Sequence, residues 1–412
     1  MNDADLKYQM MKLWKDTFHD SDDYISLIFE NYFDSSLVEY VQEDGKLISA
    51  MMAVPYDFIY KKYDNLESFD DKKILSNINC ELRGLYLCGL ATREEFRGKG
   101  IMKDLLERMA VKAQKLNFDF CFLIPADEHL RQYYEKLGYE KLFSRYEFLL
   151  NEKTINDIQN NLYSEMECDF SLKKNYDSKN VILDSLYSAR IDVEEYKFEE
   201  IFEYFNKKEK EERGLSIVHS KKDFEIICRE IYISGGDIIV ARNGSKLICG
   251  LAFVNFNADD CVTVIKNIYC DNLAVELEVI RHILTNPMTE ELRVVESVSG
   301  SKLKVLFQNR EGNMLKPYGM LRITQPLEVL KFENTCSIGQ KKSNFVNSGK
   351  LGDMGIKNEL ESDFIVASED GRMSELQNKN LQNENCKTIA ENGAEVLPYS
   401  EFRYANISLM LD

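Results

Sequence analysis

Two short stretches of this chain place chemically useful residue types close together. The first is Arg97-Gly98-Lys99-Gly100-Ile101-Met102. Glycines let a backbone turn tightly and approach a ligand closely. A helical pattern starts directly after them, with Ile101, Leu105, Leu106, Met109 and Ala113 along one side. The free N–H groups and the positive dipole end of a helix start bind phosphate oxygens, and Arg97 and Lys99 add formal charge. The stretch fits neither the GxxxxGK[ST] phosphate loop nor the GxGxxG dinucleotide fingerprint. A tight strand-to-helix turn with a solvated basic tip fits the same residues. The second stretch is Tyr133-Tyr134-Glu135-Lys136-Leu137-Gly138-Tyr139. It closes a short helix expected over His129–Leu137, with Gly138 as its C-terminal stop.

The elements that must position these stretches can be read from the apolar spacing. Leu6, Met10, Leu13, Trp14 and Phe18 form one helical face, and a second helix is expected over Tyr24–Phe33. Leu37–Val41 and Leu47–Val54 flank the turn Glu43-Asp44-Gly45-Lys46 and read as a hairpin. Residues 62–80 read as a polar excursion. Gly84–Ala91 is a nearly all-apolar run, as in a strand buried on both faces. The helix from Ile101 to about Leu116 follows the glycine turn. Phe118–Ile124 is another buried strand, and Tyr139–Leu150 reads as closing strands. This order describes one mixed α/β unit of about 150 residues, an ordinary domain size.

After a polar connector at 151–180, a second unit repeats part of the order. Asp237–Arg242 and Lys246–Asn255 flank Asn243-Gly244, a strong hairpin signal. A strand at Cys261–Tyr269, a helix marked by Leu273, Leu277, Ile280 and Leu284, and a strand at Leu292–Val295 follow. Only Cys270, Asp271 and Asn272 separate Tyr269 from Leu273, so this copy lacks the glycine turn. Beyond Pro317, Tyr318–Ile323 reads as a strand and Pro326–Phe332 as a short helix. Residues 333–393 are rich in Asn, Ser, Gly, Lys and Glu, and the last apolar residues, Ile407–Leu411, read as a docked terminus.

The whole sequence narrows the function classes. Its 412 residues correspond to roughly two to three domains. Lys+Arg 52 against Asp+Glu 70 gives a net charge of −18, a field that repels nucleic-acid backbones and anionic membranes and favours cationic small molecules or lysine-bearing partners. No apolar run approaches the roughly 18 residues that span a bilayer, and Met1–Lys15 lacks the features of a secretion signal. The ten cysteines show no CxxC pair, and the four histidines lie far apart, so a reducing cytoplasm is expected and a metal site is not.

The segment Leu90–Arg108 resembles the GCN5-related N-acetyltransferase (GNAT) family. The family's pyrophosphate loop, [QR]-x-x-G-x-[GA] after a strand, appears as Arg97-Gly98-Lys99-Gly100-Ile101-Met102, with Met102 where Gly or Ala is usual. The family's FYEKLGF-like run appears as Tyr133–Tyr139, and Asp127 stands where many members have asparagine. The order of the units resembles the enhanced intracellular survival (Eis) branch. The resemblance implies an α+β fold class with mixed sheets: a catalytic GNAT domain at 1–155, a degenerate copy at 156–312 and a small sterol-carrier-protein-like α+β domain at 313–412.

The resemblance also implies a reaction, direct transfer of an acetyl group from acetyl-CoA to a primary amine without a metal. Gly98–Met102, with Arg97, would cradle the diphosphate. Leu90, Ala91 and Thr92 would lie on a splayed strand whose N–H groups bind the pantetheine arm and polarise the carbonyl. Tyr134 would protonate the departing thiolate, a task that suits a phenol because it stays protonated at neutral pH. A core tyrosine with a satisfied hydroxyl fits the same position. The terminal carboxylate of Asp412 would act as base, or the tail is merely docked. Cys88 and Cys121 read as core residues. Phe29, Tyr32, Phe33 and Tyr56 either wall the pocket or pack the helix pair on the sheet. The acceptor, an aminoglycoside-like compound, a polyamine or a lysine amine, is not encoded in any motif. The branch also implies a homo-oligomer, a ring-like hexamer. The alternatives are a non-catalytic protein that senses acyl-CoA or an apolar ligand, and an aminoacyl-tRNA-dependent transferase, which the acidic charge opposes.

Overall fold

The turn at Asp44-Gly45 folds the chain into an antiparallel pair, Val38–Glu43 (β1) on Lys46–Lys61 (β2), with Val38 opposite Met52 and Glu43 opposite Lys46. In the computed structural model, which describes residues 1–61, 79–156, 181–185, 195–212, 214–257, 262–287, 289–310 and 314–324, this pair seeds the first of two sheets. Asn79–Thr92 (β3) runs antiparallel along β2, and Phe120–Leu123 (β4) lies parallel to β3. Parallel neighbours need a crossover, supplied here by Ile101–Lys115 (α3).

Alternation along β2 decides which helices cover which face. Ala50 and Met52 pack beneath Asp3–Phe18 (α1) and Asp22–Tyr32 (α2), while Met51 and Ala53 pack beneath α3. Both starting helices are capped as their first residues dictate: Asn2 accepts from the Asp5 N–H, and Ser21 from the Tyr24 N–H. Ion pairs hold α3 in place. Arg108 and Lys112 both reach Glu39 of β1, at 2.9 and 2.6 Å.

Glu128–Glu135 (α4), Glu140–Lys141 (β5) and Ser144–Leu150 (β6) follow. The second sheet repeats the scheme. After Ile182–Ser185 (β7) come Glu195–Glu211 (α5), Gly214–Val218 (β8) and Lys221–Ile233 (α6). Then the hairpin Asp237–Arg242 (β9) and Ile248–Asn257 (β10), Val262–Cys270 (β11), Leu273–Leu284 (α7) and Glu291–Ser297 (β12) follow. As in the first sheet, the two strands joined by a crossover helix, β11 and β12, are parallel. The fold class is therefore α+β with mixed sheets, as expected from the sequence.

The sheets are not drawn from contiguous segments. The first, among the described residues, has the order β1-β2-β3-β4-β14-β5, with β8 added to β2; β14 is Met320–Ile323. The second has the order β13-β6-β12-β11-β10-β9-β7, where β13 is Leu315–Pro317. Strand pairing thus crosses both borders expected at 155 and 312. β6 leaves the first unit to pair with β12, Tyr146 opposite Glu296. β8 leaves the second to pair with β2, and β14 lies between β4 and β5. Tyr318–Ile323, expected to open a third domain, completes the first sheet. The expected helix at Pro326–Phe332 and the docked tail at Ile407–Leu411 lie outside the described residues.

Candidate active site

β3 and β4 stay paired only as far as Tyr86 opposite Phe122. Beyond that pair they part, and β3 bulges against β2. Ala50 faces Ala91 and Met52 faces Cys88, so Met51 opposes both Gly89 and Leu90. Gly89 adopts φ +62°, and a Cβ on it would lie 2.5 Å from the Trp14 ring. Glycine is needed here for the backbone and for α1 to come this close.

A cavity of about 690 Å³ opens at this fork, a size ordinary for small-molecule sites. Leu87–Leu90 of β3 and Leu123–Ala126, at and beyond the end of β4, form its sides. Leu130 and Tyr134 of α4 close one end, and Val54 and Tyr56 of β2 lie beneath. Trp14, Tyr24 and Tyr32 come from α1 and α2 and Asp20 from the link between them, and the far wall is Glu230, Ile233, Ser234, Asn255 and Lys266 from the second unit.

Tyr134 is buried, with its ring against Tyr133 and Tyr139 at centroid distances of 5.3 and 5.9 Å. Burial pushes its hydroxyl well above the usual phenol range, and Tyr133 and Asp127 add to the effect, so Tyr134 keeps its proton at neutral pH. Its helix is anchored at both ends. Asp127 accepts from the Leu130 N–H at 2.7 Å, and past Gly138 the Tyr139 N–H returns to the Tyr134 carbonyl at 3.1 Å. Asp127 is therefore spent as a helix cap.

The glycine turn lies where β3 hands over to α3. Gly98 and Gly100 take φ +75° and +78°, and no heavy atom lies within 4 Å of a Cβ built on either. No side chain caps α3, whose N-cap is Gly100 itself, so the helix start presents its amides unblocked. The Arg97 side chain folds back, Nε donating to the Thr92 carbonyl at 3.0 Å, and Lys99 lies over the Phe96 ring. The corresponding start of α7 is filled: Asn272 accepts from the Val275 N–H at 3.0 Å, and Asp271 pairs with Lys208 at 2.8 Å. An anionic ligand would meet a carboxylate there.

Of the expected site residues, Leu90 and Tyr134 line the cavity together. Ala91 is buried opposite Ala50, and the Thr92 hydroxyl lies 2.8 Å from that of Ser49. Arg97–Met102 lie past the cavity, at the head of α3. Asp412 is outside the described residues. The four aromatics divide: Tyr32 and Tyr56 wall the cavity, while Phe29 and Phe33 belong to the helix–sheet core. Cys121 is buried and its thiol is pushed up to about 12, whereas Cys88 is half-buried and lines the cavity. Trp14, Asp20, Glu230 and Lys266 carry no local motif, and only the fold reveals them as walls.

Residues 7–139 match the model of the acetyltransferase (GNAT) family. The likeness to that family is confined to this stretch, less than half of the chain. The stretch contains the glycine turn and Tyr134. No curated protein matches the chain. Three solved structures are similar in fold. One is a conserved protein of unknown function from Enterococcus faecalis V583, described as a probable N-acyltransferase, at 12% identity and TM-score 0.52, covering 77% of this chain and 70% of that one. The others are GCN5-related N-acetyltransferases. That from Kribbella flavida has 13% identity and TM-score 0.50, covering 79% and 71%; that from Anabaena variabilis has 13% and 0.51, covering 77% and 70%. These likenesses of fold extend well past residue 139 and take in part of the second unit. Among the described residues, no helix is long and apolar enough to cross a membrane, and no cluster of three His, Cys, Asp or Glu side chains is placed to hold a metal.

Proposed function

We propose that the chain is an acyl-CoA-dependent N-acyltransferase that moves an acetyl group from acetyl-CoA directly to a primary amine. The observation that carries this reading is the open glycine turn at an uncapped helix start, joined by β3 to a cavity containing Tyr134. The amides of Gly98–Met102 fit a diphosphate, with Lys99 and Arg97 adding charge. Bound there, acetyl-CoA supplies an activated acyl group. The bulge at Gly89–Leu90 interrupts the β3 ladder beside the cavity, where freed backbone groups could meet a ligand. Tyr134 holds a proton that it can give to the leaving thiolate.

The acidic chain and the carboxylates Asp20 and Glu230 in the cavity wall favour a cationic acceptor: a polyamine, an aminoglycoside-like compound or a lysine amine. The same proposal extends to the Eis-like layout, with a sterol-carrier-like region toward the C-terminus and the Asp412 carboxylate in the site, and to a cytoplasmic homo-oligomer that light scattering can size. The deciding experiment is titration with coenzyme A followed by an acetyl-CoA consumption screen over primary amines, aminoglycosides and peptides. Saturable binding and amine-dependent consumption support the reading. Absence of coenzyme A binding overturns it, and binding without turnover of any amine favours a sensing protein.

A further inference from the structure

Two carboxylates, Asp20 and Glu230, line the cavity, and a third, Asp223, is bonded to the cavity residue Tyr32. They differ in what already occupies them. Glu230 is ion-paired with Lys266 at 3.2 Å and accepts from the Ser234 hydroxyl at 3.0 Å, so a cation of the same wall matches its charge. Asp223 accepts from the Tyr32 hydroxyl at 3.1 Å and from the Ser220 N–H at 2.9 Å as part of the cap of α6, and it is not a lining residue. Asp20 has a single hydrogen-bond partner among the described residues, the Trp14 indole, whose Nε1–H donates to Oδ2 at 2.7 Å. An indole N–H is a neutral donor, so it orients the carboxylate without cancelling its charge.

Trp14, the chain's one tryptophan, is buried, and the Phe18 and Phe29 rings meet it edge-on at 5.4 and 5.6 Å. Its Cζ3 edge is the one that a Cβ on Gly89 would strike, and Nε1 is on the opposite edge of the indole. The ring thus stands between the β3 bulge and Asp20. The link that carries Asp20 is fixed at both ends. The His19 N–H returns to the Lys15 carbonyl at 3.1 Å, and the Ser21 side chain caps α2. Its acidic neighbour Asp22 is paired with Lys15 at 2.6 Å, which leaves Asp20 as the carboxylate of this link that faces the cavity.

We propose that Asp20, oriented by Trp14, holds a second, non-reacting ammonium of the acceptor, so that the substrate is an amine with at least two amino groups. The inference rests on the acyl-transfer reading above. The nitrogen that attacks must present a lone pair, and a carboxylate gripping that nitrogen would favour its charged form. Asp20 therefore suits a different nitrogen of the same molecule. On the acyl-transfer reading the acyl group lies by the Gly89–Leu90 bulge, one indole away from Asp20, a span that the carbon chain of a diamine can cover. A monoamine gains nothing from Asp20. A peptidyl lysine offers one ammonium, its α-nitrogen being an amide, whereas a polyamine or an aminoglycoside-like compound offers both groups. Trp14 is the positioning residue: it acts on the acceptor only through Asp20.

The test uses the full chain with acetyl-CoA and paired acceptors: putrescine and cadaverine, which carry two ammonium groups at neutral pH, against butylamine and pentylamine, which carry one. The unmodified chain is expected to prefer the diamines by about 10- to 100-fold in kcat/KM, the usual worth of a charge-assisted hydrogen bond. Asp20→Asn is expected to remove most of that preference, chiefly by raising KM for the diamines, with a far smaller change for the monoamines. Asp20→Glu restores part of the loss. Trp14→Phe, which keeps an aromatic ring and removes the donor, gives a smaller loss with the same bias toward the diamines. Equal losses with both kinds of acceptor, an unchanged KM for the diamines, or no diamine preference in an unmodified chain that binds coenzyme A overturns the role of Asp20 and leaves the acyl-transfer reading standing. Absence of coenzyme A binding overturns that reading and the role of Asp20 with it.

Discussion

At Tyr134 the packing that hides the ring also keeps the proton on its oxygen, because an ion at that depth loses its hydration. Replacing the hydroxyl by hydrogen removes the proton donor and leaves the ring contacts with Tyr133 and Tyr139. Tyr134→Phe is therefore expected to lower turnover by about 10²- to 10⁴-fold while coenzyme A affinity, measured by calorimetry, changes little. A second residue-scale consequence lies away from the site. Glu276 of α7 is fully buried beside the Glu296 carboxyl, and burial, with the charge of Glu296 added, raises its pKa well above the ordinary value. Above the unfolded carboxyl pKa of 4.5, the folded chain holds a proton that the unfolded chain has released. Stability conferred at acidic pH is thus lost as pH rises through that window. Glu276→Gln removes the titration. The difference in unfolding free energy between mildly acidic and mildly alkaline solution is expected to shrink by roughly 1–3 kcal/mol in denaturant melts.

The strand–turn–helix element from β3 to α3 is where local rules and function coincide. Gly98 and Gly100 hold left-handed dihedrals that cost other residues roughly 1–2 kcal/mol each, and the space beside them is open. Gly98→Ala combined with Gly100→Ala therefore meets no protein atom but reshapes the row of amides. Coenzyme A affinity is expected to fall at least about tenfold, equivalent to roughly 1.4 kcal/mol, with only a modest loss in thermal melts. This element is legible in the sequence because glycine identity, helix periodicity and the apolar run of β3 all fall within Leu90–Arg108. The hairpins at Asp44-Gly45 and Asn243-Gly244 are legible for the same reason: the turn residues are themselves the cause of the turn. Other parts are not. β8 is only five residues long, and nothing in Gly214–Val218 marks β2 as its partner; tertiary pairing decides that. The charged helix Glu195–Glu211 and its neighbour Lys221–Ile233 hide behind polar residues, and with them Asp223 and Glu230 escape a reading by spacing. The far wall of the cavity joins residues from α6, β10 and β11, elements brought together only by the packing of the two units.

Exchange of strands makes the two sheets one folding problem. The core beside the cavity collects Val54, Tyr56 and Phe58 from β2, Phe120 and Phe122 from β4, Leu215 and Ile217 from β8, and Leu321 and Ile323 from β14. No stretch that ends at residue 155 contains all of these. β14 also buries Arg322, whose guanidinium grips Glu107 of α3 through two hydrogen bonds of 2.9 and 2.8 Å and so fixes the helix that bears the glycine turn. A chain ending at residue 312 loses Tyr318, Met320, Leu321 and Ile323, all buried. At about 1.5–3 kcal/mol for each buried large side chain, the loss is on the order of 6–12 kcal/mol. That is comparable with the roughly 5–15 kcal/mol that holds an ordinary domain folded. It also strips β4 of one partner and leaves an apolar strand edge open to aggregation. The 1–312 chain is therefore expected to lack a cooperative melting transition by circular dichroism and to aggregate. The full chain, its sheets interlocked through β6, β8 and β14, should unfold both in a single step. Two separate transitions in the full chain, or a cooperative melt of the 1–312 chain, would show that the units hold themselves together without the exchanged strands.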